Sequence, residues 1–402
     1  MSFTTREWNR IEAQLESDPR RYGLPEGGRE KSLVLGSFNI RKLGRAKGRE
    51  RELDFLARFC AACDLVAIQE VQDDLEGLRL LRQRTESRVA GPGEYALAVS
   101  DITGSVPGRR GMAERLAFLY RSRRIRRLEL ASDLTFDRTA VLSHLQEHRQ
   151  VWDEHLKGYR RKLAEYERGE RETRPRFVPP RFLTFVRSPH VVAFEAPAAN
   201  DEPALTFTAV NVHLVYGTMK ERVQEFNALL DWLIGRLRSG GRKMVTPSFV
   251  LLGDLNLDFD KPRLDRARID DRIRGLNGLH FGDTGERRVY FPFLDQHPKQ
   301  HRYLRTNARA SQTYDHIGFF NGAREQRLPN DRWADGWRSR RNPDDFDYGV
   351  FDFADLFSHA LADRSFRAMP AAEKKRFGAN FEHSVSDHLP IWVRLPRPGF
   401  VL

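Results

Sequence analysis

Apolar residues in this chain fall into short runs bounded by turn residues, and the spacing within the runs takes two forms. Ser32–Ile40 (SLVLGSFNI), Asp64–Val71, Tyr95–Ser100, Arg115–Arg121, His190–Ala196, Leu205–Leu214, Ser248–Asn256, Tyr314–Phe320 and Pro390–Leu395 are β-branched or aromatic-rich and short, which predicts strands. Between them, Arg49–Ala62 and Met219–Arg238 carry helical periodicity. In the second, Val223, Phe226, Leu229, Leu230 and Leu233 share one face and charge occupies the other. Several strands are apolar at nearly every position, so they need cover on both sides, and the alternation of strand and helix predicts an α/β fold.

Three segments stand outside this alternation. Residues 1–30 read as an amphipathic helix (Glu7–Ser17) and a Gly/Pro/charge-rich connection, an extension ahead of a single domain over 31–398. Residues 137–175 read as one or two charged helices inserted between strands, with Leu142, Leu145, Trp152, Leu156, Tyr159 and Leu163 as a partial apolar stripe. Residues 321–383 read as a second insertion of long loops with short helices. The helical insertion is either a solvated structure packed on the body or a basic arm for a nucleic acid backbone.

The strands end in polar residues. Asn39, Glu70, Asn211, His213, Asp254, Asn256, Asp315, His316, Asp387 and His388 all lie within or beside otherwise apolar runs. Taken alone, Gly253, Asp254 and Asn256 are ordinary turn residues capping a strand. Taken together the set needs another account, because buried charge is costly unless it pairs or binds metal. Asn211 and His316 read as locally hydrogen-bonded neighbours.

Composition narrows the partner. The formal net charge is +12, which favours a polyanion, nucleic acid ahead of an anionic membrane surface. The two cysteines, Cys60 and Cys63, sit in a helical stretch without a second pair for zinc, and read as buried small residues. With no disulfide implied, no apolar leader-like segment at the N-terminus and no membrane-length apolar run, a soluble, cytoplasmic protein is expected.

Oxygen donors with little sulfur suit a hard cation, Mg²⁺ or Mn²⁺. Two histidines with acidic partners can move protons near neutral pH. Together they provide for in-line attack of water on a phosphodiester.

The ordered motifs FNI, AIQEV, VNVHL, LLGDLN, YDHI and SDHLPI resemble the endonuclease/exonuclease/phosphatase superfamily. IQEVQD, ERLAFLYR and the RSP at Arg187–Pro189 are similar to its deoxyribonuclease I-like branch. The resemblance spans roughly residues 33–130 and 180–395 and implies a four-layer α/β sandwich, two packed mixed β-sheets flanked by helices. By resemblance, Asn39 and Glu70 hold the metal and Asp387 supports it. His213 and His388 are the acid/base groups, oriented by Glu114 and Asp315 respectively. Asp254 and Asn256 bind phosphate or a second metal and align the nucleophile, while Arg41, Tyr314 and Arg187 contact the substrate backbone. The implied activity is a Mg²⁺-dependent endonuclease acting on DNA, with no membrane partner.

The alternatives are a phosphodiesterase or phosphatase of the same superfamily acting on another phosphoester, and an inactive DNA-binding relative. Leu252 stands before Gly253 where an inositol phosphatase would carry Trp, and the retained polar set argues against the inactive reading.

Overall fold

Every residue of Ser248–Asp254 is buried. Val250 and Leu252 face one apolar layer and Phe249 and Leu251 another, so the strand lies between two covers. The computed structural model describes residues 3–25, 30–89, 91–104, 113–135, 138–238, 245–257, 288–322, 328–329 and 347–399. Within them, two six-stranded mixed sheets pack face to face.

The first sheet contains β1 (Ser32–Leu43), β2 (Leu65–Gln72), β3 (Tyr95–Val99), β4 (Glu114–Arg121), β11 (Asp347–Val350) and β12 (Ile391–Pro396), in the order β11-β12-β1-β2-β4-β3. The second contains β5 (Arg126–Asp133), β6 (His190–Ala196), β7 (Leu205–His213), β8 (Ser248–Asp254), β9 (Val289–Tyr290) and β10 (Asp315–Asn321), in the order β5-β6-β7-β8-β10-β9. One parallel pair lies inside each sheet, β1 with β2 and β7 with β8, and the remaining pairs are antiparallel. Leu33, Leu35, Leu65 and Phe118 meet Phe194, Phe207, Val250 and Ile317 between the sheets.

Helices cover the outer faces. α2 (Glu50–Ala62), α3 (Glu76–Glu86) and α7 (Phe353–Ala362) pack on the first sheet with α8 (Ala371–Ser384), and α6 (Met219–Arg238) packs on the second. The result is the four-layer α/β sandwich that the resemblance implies. α1 (Thr5–Ser17) begins with a Thr4–Glu7 capping box. Its Trp8 lies 5.6 Å from the Phe55 ring and 5.5 Å from Phe357, so the amphipathic face closes over the helix layer. Cys60 and Cys63 are free and buried, and burial pushes the Cys60 thiol up to about 12, which leaves it inert as a redox group.

In the helical insertion, α4 (Arg138–Glu147) and α5 (Arg149–Glu167) are charged and largely exposed, with Trp152 the buried residue. In the other segment, residues 323–327 and 330–346 lie outside the described residues, as do 26–29 and 137. Its described part, 347–383, holds β11, paired to β12, together with α7 and most of α8. The four-residue β11 is too short to announce itself by alternation, and α7 is apolar around most of its circumference.

Candidate active site

The site is assembled by strand register. In the parallel β7/β8 pair His213 sits opposite Asp254, and in the antiparallel β8/β10 pair Asp254 sits opposite Asp315. Gly253 allows this approach. Its φ is +148°, and a Cβ there would run into the Val212 carbonyl of β7. The first sheet contributes Asn39 from β1, Glu70 from β2 and Glu114 from β4, and His388 stands just ahead of β12.

These residues converge on one oxygen. Asp254 Oδ2 lies 3.5 Å from His213 Nε2 and 3.5 Å from His388 Nε2, and accepts a 3.1 Å hydrogen bond from Asn39 Nδ2. Each imidazole is held from behind by its own carboxylate: His213 Nδ1 is 3.1 Å from Glu114 Oε2, and His388 Nδ1 is 2.8 Å from Asp315 Oδ2. Asp254 Oδ1 accepts from the Asn256 amide at 2.8 Å, and Asn256 Nδ2 donates to the Leu214 carbonyl at 2.8 Å. Glu70 (φ +59°) and Asn256 (φ +51°) adopt the left-handed region, costing about 1–3 kcal/mol each, at the points where the strands turn into the cleft.

Charge is unevenly distributed. Burial alone would hold the His388 imidazole neutral, but the Asp315 and Asp254 carboxylates outweigh it and raise its pKa well above the usual histidine range. Burial would likewise raise Glu114, but its hydrogen bonds and attraction to His213 and Arg187 hold its carboxyl below the usual carboxylate range.

Several site oxygens are left over, Asp315 Oδ1 among them. Asn39 Oδ1 and Asp387 Oδ1 are buried and receive no hydrogen bond. The orientation of Asn39 is dictated, because its Nδ2 must face the Asp254 carboxylate, which can only accept. With Glu70 lining the same cleft, these hard oxygen donors fit a divalent cation of the Mg²⁺ kind. Asp254, Asp315 and His388 also bring ligand-type atoms within 4.8 Å of one another.

No family model matches the chain. Two curated proteins called deoxyribonuclease-1-like 1 are similar to it. One, from Sus scrofa, is 35% identical over 102 residues, which cover 25% of this chain and 31% of the relative. The other, from Homo sapiens, is 27% identical over 249 residues, 61% of this chain and 62% of the relative. Over these parts of its length the chain is similar to deoxyribonuclease-1-like proteins, in keeping with the resemblance seen in its motifs. It spans less than two thirds of the length of either relative. Solved structures with a similar course include a protein of the endonuclease/exonuclease/phosphatase family from Bacteroides thetaiotaomicron (15% identity, 91% of this chain, 95% of that chain, TM-score 0.46). The human Nocturnin catalytic domain is another (12% identity, 91% and 94%, TM-score 0.43).

Not every residue matched to the superfamily pattern faces the cleft. Arg41 turns away. Its Nη1 donates to the Glu382 carbonyl at 2.8 Å and lies 3.0 Å from His383 Nδ1, so it serves the last turn of α8. The cause is the register break between Asn39 and Leu43, with Lys42 at φ +47°, which cancels the alternation that would aim Arg41 with Asn39. Lys42 lines the cleft instead, and its amide donates to Glu70 Oε2 at 3.0 Å.

Arg187 lines the cleft but is committed to the protein. It is 3% exposed, with Nε 2.6 Å from Glu114 Oε2 and Nη1 donating to the carbonyls of His213 and Leu214. Its place is behind the His213–Glu114 pair. Tyr314 lines the cleft, its ring 6.1 Å from that of His388. Asn211 and His316 are fully buried within the sheets. Asn211 bridges them through Gln69, Ile68 O and Ala117 O, and His316 Nε2 lies 3.3 Å from Thr313 O.

The cleft, about 720 Å³, is also lined by Gln72, Tyr216, Asn307, Arg309, Gln312 and Glu382. Most of these come from connections without hydrophobic period, so no pattern in the sequence points to them. Thr306 shows what the connection does: its hydroxyl accepts from the Tyr314 and Asp315 amides, and its carbonyl accepts from Leu389. It thereby ties the two ends of the His388–Asp315 pair together.

Proposed function

We propose that this chain is a divalent-metal-dependent phosphodiesterase acting on nucleic acid, cutting DNA internally by in-line attack of water. The observation that carries this reading is the placement of Asp254 Oδ2 at 3.5 Å from the Nε2 atoms of both histidines, each backed by its own carboxylate. Two acid–base groups facing one buried carboxylate suit a reaction in which one proton leaves water and another reaches a departing oxygen. The Asp315 and Asp254 carboxylates raise the pKa of His388, which favours the protonated form and suits it to donate a proton to the leaving oxygen. His213, set by Glu114, is the counterpart on the side of the attacking water. Asp254, with Asn39 and Asn256 fixing its two oxygens, orients that water.

Glu70, Asn39 and Asp387 would hold Mg²⁺ or Mn²⁺, which when bound supplies positive charge to the non-bridging oxygens of the phosphate. The net charge of +12 supports a polyanionic substrate, and both curated relatives bear a deoxyribonuclease name. The test is incubation with supercoiled plasmid, single-stranded DNA, RNA and bis-p-nitrophenyl phosphate, with Mg²⁺ or with EDTA, alongside His388→Ala. Metal-dependent nicking that drops at least about a hundredfold in the variant is expected. Turnover of the small diester alone would overturn the nuclease reading, and plasmid binding without cleavage would favour an inactive binding protein.

A further inference from the structure

Tyr216 is the most exposed large apolar side chain among the described residues, at 64%, and it lines the cleft three residues beyond His213. A mobile surface tyrosine needs no explanation, but this ring is fixed. The Arg222 guanidinium lies over it, 4.6 Å from the centroid. Arg222 is itself clamped, its Nη1 donating to the Asn256 carbonyl at 2.9 Å and its Nε to the Gly217 carbonyl at 3.1 Å. The turn beneath is closed by a reciprocal cap, in which the Thr218 amide donates to Glu221 Oε2 at 2.8 Å and the Glu221 amide donates to the Thr218 hydroxyl at 3.4 Å. One face of the ring is therefore covered by a cation that is bonded to the same Asn256 backbone that shapes the site. The exposed area belongs to the other face and the edge.

We propose that Tyr216 is a stacking platform for an unpaired nucleobase beside the phosphate held in the cleft. A flat, rigid aromatic next to a phosphate site is what a single strand requires, because every base offers a π-face while its phosphates track the positive groove. The guanidinium on the covered face draws electron density from the ring and suits the open face to a flat, electron-rich heterocycle. Lys42 and the exposed Arg309, the latter held by Glu382 through bonds of 2.6 and 3.0 Å, line the same cleft as partners for flanking phosphates. A base-paired nucleotide cannot present its face there, so the platform selects unpaired or frayed positions.

The inference rests on the nucleic acid reading of the cleft, and its test is independent of turnover. Affinity is measured by fluorescence anisotropy in EDTA, with a labelled single-stranded oligodeoxynucleotide and with a strand of equal length built from tetrahydrofuran abasic units. These strands carry the same phosphates, and only one carries bases. The native protein is expected to prefer the base-bearing strand by about tenfold or more, Tyr216→Ala to abolish that preference, and Tyr216→Trp to keep it. Equal affinity of the native protein for both strands would overturn the platform, as would a preference that survives Tyr216→Ala or no binding to either strand. Plasmid nicking measured separately with Mg²⁺ tells whether the phosphodiesterase reading stands when the platform fails.

Discussion

At the scale of single residues, the site is organised by an oxygen that the sequence does not single out. Asp254 reads as one polar strand end among several, yet its Oδ2 is the atom that Asn39, His213 and His388 share. The residue types were legible; the hub was not, because it depends on which strands neighbour β8. Arg187 shows the same limit. Its position in the motif suggests a hand extended to substrate, whereas its guanidinium is 3% exposed and paired to Glu114. Arg187→Met is therefore expected to destabilise the fold by about 3–5 kcal/mol in urea denaturation, the cost of removing one partner of a buried ion pair and leaving Glu114 with His213 alone. A surface phosphate contact would change stability by less than about 0.5 kcal/mol, and that result would return Arg187 to a substrate-binding role.

At the scale of elements, the central strands were readable because two apolar layers demand apolar residues at both parities. β5 was not, since it is an edge strand whose Arg126, Arg127 and Glu129 are exposed. The bulges were not readable either. The register break in β1 that swings Arg41 onto α8 and leaves Lys42 at the cleft has no signature in side-chain pattern alone. Gly253 is a case where backbone geometry decides. A methyl group there meets the Val212 carbonyl, on the ladder that sets His213 beside Asp254. Gly253→Ala should cost more than about 2 kcal/mol and lower activity out of proportion, because β7 and β8 must separate to accept it. A variant with native melting temperature and native turnover would show that the close approach is not required.

At the scale of the whole molecule, buried histidines set the response to pH. His297 and His316 are held neutral by burial, with pKa values pushed down to about 4 and about 3. The unfolded chain binds their protons at about pH 6.5. Their contribution is therefore present above about pH 6.5 and is lost as pH falls, by about 1.4 kcal/mol per pH unit for each group. His388 has the opposite sign. Its raised pKa contributes stability that is complete below about pH 6.5 and is lost as pH climbs through the folded value. The combined contribution of these three histidines should therefore be largest near pH 6.5. Urea midpoints from pH 5 to 9 test this, and a His316→Gln variant should show a shallower acid limb; an unchanged limb would remove burial of that histidine as its cause. Among the described residues no helix is long and apolar enough to cross a membrane.

The order of the first sheet has one further consequence. β12 lies between β1 and β11, so Asn39 and His388 meet only when strands that begin at residues 32 and 391 pair. During synthesis the emerging polypeptide carries His213 and Glu114 long before it carries His388. On the function proposed above, the ribosome-bound chain lacks one of its two acid–base groups until translation has passed residue 388, and lacks the β1/β12 pairing until it has passed residue 396.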